Sequence, residues 1–312
     1  MIVDAPMSSA PAIAVDDALL SAWPLPMPSE DGDKEERGRI LLVGGSSQMP
    51  GAIMLAAIAA LRAGAGKLTV ATSHTVAPMV AAHLPEARVI ALKETGDGTL
   101  AAGELQRCVQ SLAPKVDALV IGPGCTNCDA LLDDIAGILP AFKKAAVVLD
   151  ASAMDVVTRR AARGAAADWP AILLTPHAGE MAHLTGLSKE AIQGDPGALL
   201  ARMTREWRVM IALKGACTAI RHPDGRHWEH RGGNCGLGTS GSGDTLAGII
   251  GGLAARGAAL EQAAVWGVTL HARAGEVLAD KFGPLGYLAR ELAAEVPRLM
   301  AQARKDGRPD AR

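Results

Sequence analysis

From Arg39 onward, short apolar runs rich in β-branched residues alternate with longer stretches rich in alanine and leucine. Apolar runs bounded by turn residues are typical of strands that are buried on both faces of a sheet. Since these runs alternate with helical stretches, the pattern predicts an α/β fold with helices on both faces of a mainly parallel sheet. The predicted strands are 40–43, 67–71, 88–92, 117–121, 145–150, 171–175, 208–213 and 218–221.

The last third of the chain is predicted to be mainly helical, after a polar hairpin tip at 222–226. The predicted helices include 244–256, 260–280 and 285–303, a helix that ends at 63 and a short one near 16–23, with Gly257 as a C-cap. Composition does not change between residues 39 and 303. We therefore predict one domain there, preceded by a partly loose arm at 1–38 and followed by a tail at 304–312.

Composition narrows the classes of function. Hydrophobic residues make up 49% of the 312, which is enough for a packed core, and a net charge of -2 gives no basic surface for nucleic acid. Five cysteines in a chain of this length indicate a reducing compartment, and the N-terminal residues lack the signal-peptide pattern, so we expect a cytoplasmic protein. The uncharged stretch between Arg39 and Arg62 contains glycine and proline turns, so we expect no membrane helix.

Small, polar and charged residues follow five of the predicted strands. In open α/β sheets, ligands bind beyond the carboxyl ends of the strands. Any one of these segments is more readily interpreted as a plain turn, but together they predict a cleft. The segments are 44–47, 122–124, 150–152, 175–180 and 214–218.

A glycine- and serine-rich stretch, Gly233 to Gly243, leads into a predicted helix that begins at Asp244. Glycines let consecutive backbone N–H groups converge on an anion, and a helix N-terminus adds unpaired N–H groups and partial positive charge. Asp244 in the first turn is either a cap or a base that accepts a proton from a substrate hydroxyl. The spacing alone leaves both roles open.

Three other nucleotide- or metal-binding motifs are absent or lack the neighbouring strands or residues that they require. The glycines at 236, 238 and 241 fit G-x-G-x-x-G, but Glu261, 20 residues on, lies in a helical stretch and not at the end of a strand. No Walker A sequence is present. Cys125 and Cys128 form a single C-x-x-C, whereas a zinc site needs a second pair.

Six motifs in this order resemble the ADP/ATP-dependent NAD(P)H-hydrate dehydratase family, a branch of the ribokinase-like kinases. They are Gly44-Gly45-Ser46 with Pro50-Gly51-Ala52, Gly122-Pro123-Gly124, Asp150-Ala151, Leu174 to Glu180, Leu213 to Thr218, and Thr239 to Gly248. The resemblance covers residues 39–303 and implies a ribokinase-like fold. It also implies a homo-oligomer, a tetramer, without the epimerase domain that some members carry, so that a separate NAD(P)H-hydrate epimerase is the functional partner.

The resemblance also implies the reaction and the roles of residues. Members remove water from the (6S) hydrates of NADH and NADPH (NADHX and NADPHX) by phosphorylating the C6 hydroxyl with ADP or ATP and eliminating phosphate. Asp244 is then the base, and Mg²⁺ bridges phosphates near Glu180 or Asp150 through water, with no direct metal ligand assigned. The implied phosphoryl loop is Gly241, Ser242 and Gly243. The implied nucleotide site is Lys214, Gly215, Ala216, Cys217, Thr218 and Gly243, and the implied hydrate site is Ala52, Gly124, His177 and Asp244.

Two alternatives remain open from the sequence. The first is a ribokinase-like kinase for a hydroxymethyl pyrimidine or thiazole vitamin precursor, and the second is a nucleotide-sensing or scaffold module without catalysis. The chain also departs from the family pattern, with Ser152 in place of a frequent aspartate and Cys125 in place of a frequent leucine. These departures bear on the pocket and leave the phosphoryl loop and Asp244 intact.

Overall fold

The computed structural model describes residues 11–29, 36–96, 98–126, 128–162 and 168–306, with side chains described as far as Ala303. Within these residues, ten strands form one sheet. The strands are β1 (Ile13–Ala14), β2 (Arg39–Val43), β3 (Lys67–Ser73), β4 (Ala87–Leu92), β5 (Ala118–Ile121), β6 (Ala146–Leu149), β7 (Ile172–Leu174), β8 (Met210–Leu213), β9 (Cys217–Arg221) and β10 (His227–Arg231).

Helices fill most of the connections between strands. They are α1 (Asp17–Ala22), α2 (Pro50–Arg62), α3 (Ala77–His83), α4 (Glu104–Val109), α5 (Asp129–Ile138), α6 (Asp155–Ala162), α7 (Ala178–Thr185), α8 (Lys189–Gly194), α9 (Pro196–Trp207), α10 (Ser242–Ala255), α11 (Leu260–Phe282) and α12 (Ala289–Asp306). Short 3₁₀ turns occupy 110–115, 139–142, 151–154 and 235–237. None of the helices in the described ranges combines the length and apolar character that crossing a membrane requires.

The sheet order is β1-β10-β9-β8-β7-β6-β5-β2-β3-β4. The seven strands from β8 to β4 are parallel, and β9 and β10 continue the sheet antiparallel as a hairpin. After β2 the chain builds outward through β3 and β4, then returns to the other side of β2 with β5. The carboxyl ends of β2 and β5 therefore flank a topological switch point, where open α/β sheets bind ligands.

Successive side chains of each strand point to opposite faces, so the sheet divides two cores. On β2, Ile40 and Leu42 belong to the core that also includes α2, α3, α10, α11 and α12, whereas Leu41 and Val43 belong to the core that includes α4 to α9. The predicted α/β fold, with helices on both faces of a mainly parallel sheet, is confirmed. All eight predicted strands are present, with ends that differ by two residues or fewer.

The last helix differs from its predicted bounds. It was predicted from Leu285 and begins at Ala289, because Gly286 has φ +107 and Tyr287 turns inward to donate its hydroxyl hydrogen bond to Asn234 at 2.7 Å. The helix runs on to Asp306, into the segment predicted as a tail, and residues 307–312 lie outside the described residues. Gly257, with φ +101, follows the end of α10 as predicted.

The N-terminal segment packs along the hairpin edge of the sheet. β1 pairs with β10, and Trp23 stacks on Trp228 with ring centroids 6.1 Å apart. The carbonyl of Trp23 accepts hydrogen bonds from Trp266 Nε1 at 2.8 Å and Gln262 Nε2 at 3.1 Å. These contacts connect residues 13–23 to β10 and α11. The rest of the predicted arm includes residues 1–10 and 30–35, which lie outside the described residues, and the division into arm, domain and tail stays a prediction.

Candidate active site

Two glycine turns meet at the switch point between β2 and β5. The backbone N–H of Gly45 donates to the carbonyl of Pro123 at 2.8 Å, which links the two turns. Gly124 has φ +70, and a Cβ added there would lie 2.9 Å from the Cβ of Ala52. The absence of a side chain at Gly124 lets α2 approach the end of β5. The structure thus places Ala52 and Gly124 next to each other at the switch point. Both residues were predicted to bind the hydrate.

The turn after β6 is pressed against the turn after β5. A Cβ on Gly122 would lie only 1.9 Å from the carbonyl oxygen of Asp150, and Gly122 has φ +131. Ala151, which follows Asp150, has φ +48, a conformation that non-glycine residues rarely adopt. Strained backbone of this kind occurs often at functional sites. It places the buried Asp150 side chain next to the switch point.

The glycine-rich stretch ends at the N-terminus of α10. Gly241 has φ +87, a backbone conformation that favours glycine, and a Cβ there would lie 2.4 Å from Leu55 Cδ1. α10 was predicted from Asp244 but begins two residues earlier, at Ser242, so Ser242, Gly243 and Asp244 form its first turn. The backbone N–H of Ser242 donates to the carbonyl of Thr239 at 3.2 Å. N–H groups of a first turn have no partner inside the helix, so a helix N-terminus can bind an anion.

A buried histidine on α11 contacts this loop through Ser242. Nε2 of His271, on α11, lies 2.9 Å from Ser242 Oγ and 3.1 Å from the Ser242 carbonyl oxygen. Since a carbonyl oxygen only accepts, Nε2 carries the proton and donates. Burial lowers the pKa of His271 to about 4, so the ring is neutral near pH 7. His271 was not among the predicted site residues, because a lone histidine within a helical stretch carries no sequence signal.

Lys214 lies at the centre of the charged groups. Its Nζ is 3.5 Å from Asp150 Oδ1 and 3.6 Å from Glu180 Oε2. A Cβ on Gly243 would lie 3.2 Å from the same atom, so the ammonium group adjoins the phosphoryl loop. Burial alone lowers the pKa of Lys214, but the two carboxylates outweigh it and the pKa is raised. The ammonium group therefore stays charged.

Thr175 and a capping box hold the two carboxylates. The hydroxyl of buried Thr175 donates to Asp150 Oδ1 at 2.6 Å. The backbone N–H of His177 donates to Glu180 Oε2 at 2.8 Å, while His177 Nδ1 accepts from the backbone N–H of Glu180 at 3.0 Å. This reciprocal pair starts α7 and fixes the direction of both side chains.

Asp244 has the properties of a general base. Burial raises its pKa to about 6, helped by the charges of Asp150 and Glu180, while Lys214 opposes the rise. A carboxylate with this pKa is mostly ionised at neutral pH and accepts a proton more readily than an exposed aspartate. The second candidate role of this position, helix capping, is taken by Gly241.

The other predicted site residues lie at neighbouring strand ends. The turn from Lys214 to Thr218 joins β8 to β9, with Gly215 and Ala216 exposed, and Thr218 Oγ1 donates to the Gly215 carbonyl at 3.5 Å. The backbone of His177 forms an isolated parallel β-bridge with that of Lys214 next to this turn. Cys128 is the N-cap of α5 and accepts from the backbone N–H of Leu131, which gives it a structural role. Among the described residues, no group of three or more His, Cys, Asp or Glu is placed to hold a metal ion.

Comparisons with known proteins agree on one family. The profile of a family described as NAD(P)H-hydrate dehydratase matches residues 40–298. An ADP-dependent (S)-NAD(P)H-hydrate dehydratase of Xanthomonas campestris is 48% identical over 91% of this chain and 94% of that protein. A bifunctional NAD(P)H-hydrate repair enzyme of Moorella thermoacetica is 40% identical over 89% of this chain, which spans about half, 53%, of that protein.

Solved structures show the same fold. An ADP/ATP-dependent NAD(P)H-hydrate dehydratase of Bacillus subtilis, co-crystallised with ATP/Mg²⁺, has a TM-score of 0.78 and 29% identity over 94% of this chain and 99% of that one. A ribokinase-like superfamily protein of Enterococcus faecalis also has a TM-score of 0.78, with 27% identity over 94% of this chain and 96% of that one. The expected ribokinase-like fold is confirmed.

Proposed function

The chain belongs to the NAD(P)H-hydrate dehydratase family, and on that premise we propose that it converts (6S)-NADHX and (6S)-NADPHX back to NADH and NADPH at the expense of ADP. The observation that carries the proposal is Asp244, a partly buried carboxylate with a raised pKa, in the same helical turn as the phosphoryl loop. This pairing suits the activation of a substrate hydroxyl beside a phosphoryl group.

Phosphorylation solves the problem of a poor leaving group. The hydrate carries a hydroxyl at C6 of the nicotinamide ring, and hydroxide leaves far less readily than phosphate. Asp244 accepts the hydroxyl proton as the C6 oxygen takes the terminal phosphoryl group of ADP, which leaves AMP. The ring nitrogen then expels phosphate from C6, and loss of a proton from C5 restores the C5–C6 double bond.

The residues around the loop supply binding and charge stabilisation. Backbone N–H groups of Gly241, Ser242 and Gly243 hold the transferring phosphoryl group, and the Lys214 ammonium group neutralises its negative charge. The turn from Lys214 to Thr218 binds the rest of the nucleotide. Ala52, Gly124 and His177 surround the hydrate, with its C6 hydroxyl facing Asp244.

The charges of the site fit a divalent cation. Asp150, Glu180 and Asp244 bring three carboxylates against the single ammonium group of Lys214, so the diphosphate of ADP meets excess negative charge. Carboxylate oxygens are the ligands that Mg²⁺ prefers. We therefore propose that Asp150 and Glu180 hold Mg²⁺ through water. When bound, the ion neutralises phosphate charge, as ATP/Mg²⁺ in the Bacillus subtilis structure suggests.

Three further proposals follow from family membership. We expect a homotetramer in the cytoplasm, although neither property decides the chemistry. The bifunctional relatives combine repair activities in one longer chain. We accordingly propose that a separate NAD(P)H-hydrate epimerase supplies the (6S) epimer to this chain.

The direct test is an assay with prepared (6S)-NADHX, Mg²⁺ and either ADP or ATP. We expect the absorbance of reduced nicotinamide to return, with one phosphate released per hydrate. A stable phosphoester of a hydroxymethyl pyrimidine or thiazole, without return of this absorbance, would favour the kinase alternative. Nucleotide binding without turnover of either substrate class would favour the non-enzymatic module.

The Asp244→Asn variant tests the assigned base. We expect turnover to fall at least about a thousandfold, because the amide does not accept the proton, while ADP binding measured by calorimetry changes little. Asp280→Asn, at an exposed position on α11, is the matched control and should retain full activity. Near-normal turnover by Asp244→Asn would disprove the assignment.

A further inference from the structure

A cleft of about 360 Å³ opens beside His177, between the start of α6 and helix α7. Its volume lies in the range of pockets that hold small molecules. Its lining combines apolar side chains with carboxylate and imidazole groups. The lining residues are Ala151, Ser152, Met154, Asp155, His177, Gly179, Glu180, His183 and Leu184. We call this space the His177 cleft.

The His177 cleft adjoins the candidate active site. Glu180 lines the cleft and also contacts Lys214 at 3.6 Å. His177 stands between the two spaces, with more than half of its side chain exposed. Because His177 Nδ1 accepts from the backbone N–H of Glu180, the neutral ring carries its proton on Nε2 and offers a donor to a ligand.

Two basic side chains lie beside Gly179 in the lining of the cleft. A Cβ on Gly179 would lie 2.9 Å from His177 Cε1 and 3.2 Å from Lys189 Cε, so both basic side chains flank this glycine. Lys189 is the first residue of α8. His183 Nε2 lies 3.0 Å from the Asp155 carboxylate, which is largely buried while the imidazole is exposed. An anion and a hydroxylated sugar would each find partners here.

The substrate of the proposed reaction is a dinucleotide, and only one half of it reacts. When the C6 hydroxyl of the nicotinamide half lies at Asp244, the AMP half must bind at a second place near the candidate active site. The turn from Lys214 to Thr218 is reserved for ADP in the proposed function. On the other side of His177, the cleft offers volume, basic groups for a diphosphate and a carboxylate–imidazole pair for ribose hydroxyls.

We propose that the His177 cleft binds the AMP half of the hydrate, with His177 and Lys189 on the diphosphate and the Asp155–His183 pair on the ribose. The apolar side chains of Met154 and Leu184 provide contact area for the adenine. This inference rests on the proposed function, since it assigns a subsite to the hydrate of that reaction.

The test compares two hydrates that differ only in the AMP half: the hydrate of NADH and that of reduced nicotinamide mononucleotide. Lys189→Glu reverses a charge at a helix N-terminus, where an acid is well tolerated. Leu184→Trp fills the cleft one turn away from the chemistry. We expect each variant to raise KM for the dinucleotide hydrate roughly tenfold or more, with little change in kcat, and to raise KM for the mononucleotide hydrate less than about twofold.

Controls separate this inference from its premise. Lys115→Glu reverses the charge of an exposed residue that does not line the cleft, and should leave both KM values as in the wild type. Tm values establish that each variant is folded. Unchanged KM for the dinucleotide hydrate, equal increases for both hydrates, or an increase in KM for ADP alone would each overturn the subsite. If the wild type turns over neither hydrate, the proposed function fails and the subsite falls with it.

Discussion

The pKa of Asp244 depends on side chains that follow three different strands. Asp150 comes after β6, Glu180 lies on α7 after β7, and Lys214 comes directly after β8. All three were expected at a shared edge, because polar residues at the carboxyl ends of parallel strands converge. His271 was not expected, since it lies 29 positions from Ser242 and its role appears only once α10 and α11 are packed. Sequence patterns therefore identify polar residues at strand ends, but they do not identify His271, a buried residue that contacts the loop from another helix.

The raised pKa of Asp244 predicts how activity depends on pH. The group accepts a proton only when ionised, and its pKa is about 6 in the folded protein. We therefore expect kcat/KM to be constant near neutral pH and to fall about tenfold per pH unit well below pH 6. The measurement is a pH profile of kcat/KM for (6S)-NADHX at saturating ADP, with circular dichroism at each pH to establish folding. A profile that stays flat to pH 4.5 would contradict the assignment.

His271 is expected to act as a positioning residue for the phosphoryl loop. His271→Phe keeps the apolar volume but removes the donor to the Ser242 carbonyl, so we expect kcat to fall by about tenfold or more. His271→Gln places an amide donor near the position of Nε2 and should recover most of the rate. His83→Phe, on an exposed face of α3, is the control. Equal losses in the Phe and Gln variants, at equal Tm, would show that the hydrogen bond does not matter.

Helices α2 and α10 approach each other along a line of small residues. A Cβ on Gly248 would lie 2.1 Å from the carbonyl oxygen of Ala56, and one on Gly252 would lie 2.4 Å from that of Ala60. This contact helps to position the first turn of α10, which contains Ser242, Gly243 and Asp244. The helices themselves were predictable from alanine- and glycine-rich stretches. Their separation was not, because a glycine in a helix has the same sequence signature whether or not a neighbour requires it.

Replacing one of these glycines should separate the two helices. We expect Gly248→Ala to lower the free energy of unfolding by roughly 2 kcal/mol or more, because its methyl group meets backbone that cannot easily move. Gly51→Ala, on the same helix pair, has no atom within 4 Å of the new Cβ and should change the free energy by about 1 kcal/mol or less. Urea unfolding of both variants measures the difference. Similar values for the two would argue against close packing as the reason for Gly248.

From β2 the chain adds strands first on one side of the sheet and then on the other, and this strand order determines where the candidate site lies. Local patterns predicted the strands and their parallel direction, but strand order depends on which strands pair across long separations, which periodicity does not encode. The same limit applies to the edge formed by β1 and β10. β1 has only two residues, and β10 has one tryptophan among histidine, glutamate and arginine, so neither resembles the apolar strands.

The N-terminal segment is expected to stabilise the whole molecule. Removal of residues 1–27 would expose the edge of β10 and the apolar faces of Trp228 and Trp266. We expect Tm to fall by about 5 °C or more, with increased light scattering on heating, and Trp23→Ala to produce part of this loss. An unchanged Tm for the truncated protein would show that these contacts add little.

The switch point separates two tasks along the chain. In the proposed function, most contacts with the hydrate come from the start of α2, the turn after β5 and the start of α7, whereas phosphoryl transfer depends on the turn after β8 and the start of α10. Because different stretches of sequence encode the two, a mutation can alter one without disturbing the other. Divergence toward a new acceptor molecule would then require changes only in the first set, while the phosphorylating apparatus is inherited intact. Such a division lets one ancestral scaffold give rise to enzymes that share a phosphoryl donor and differ in what they phosphorylate.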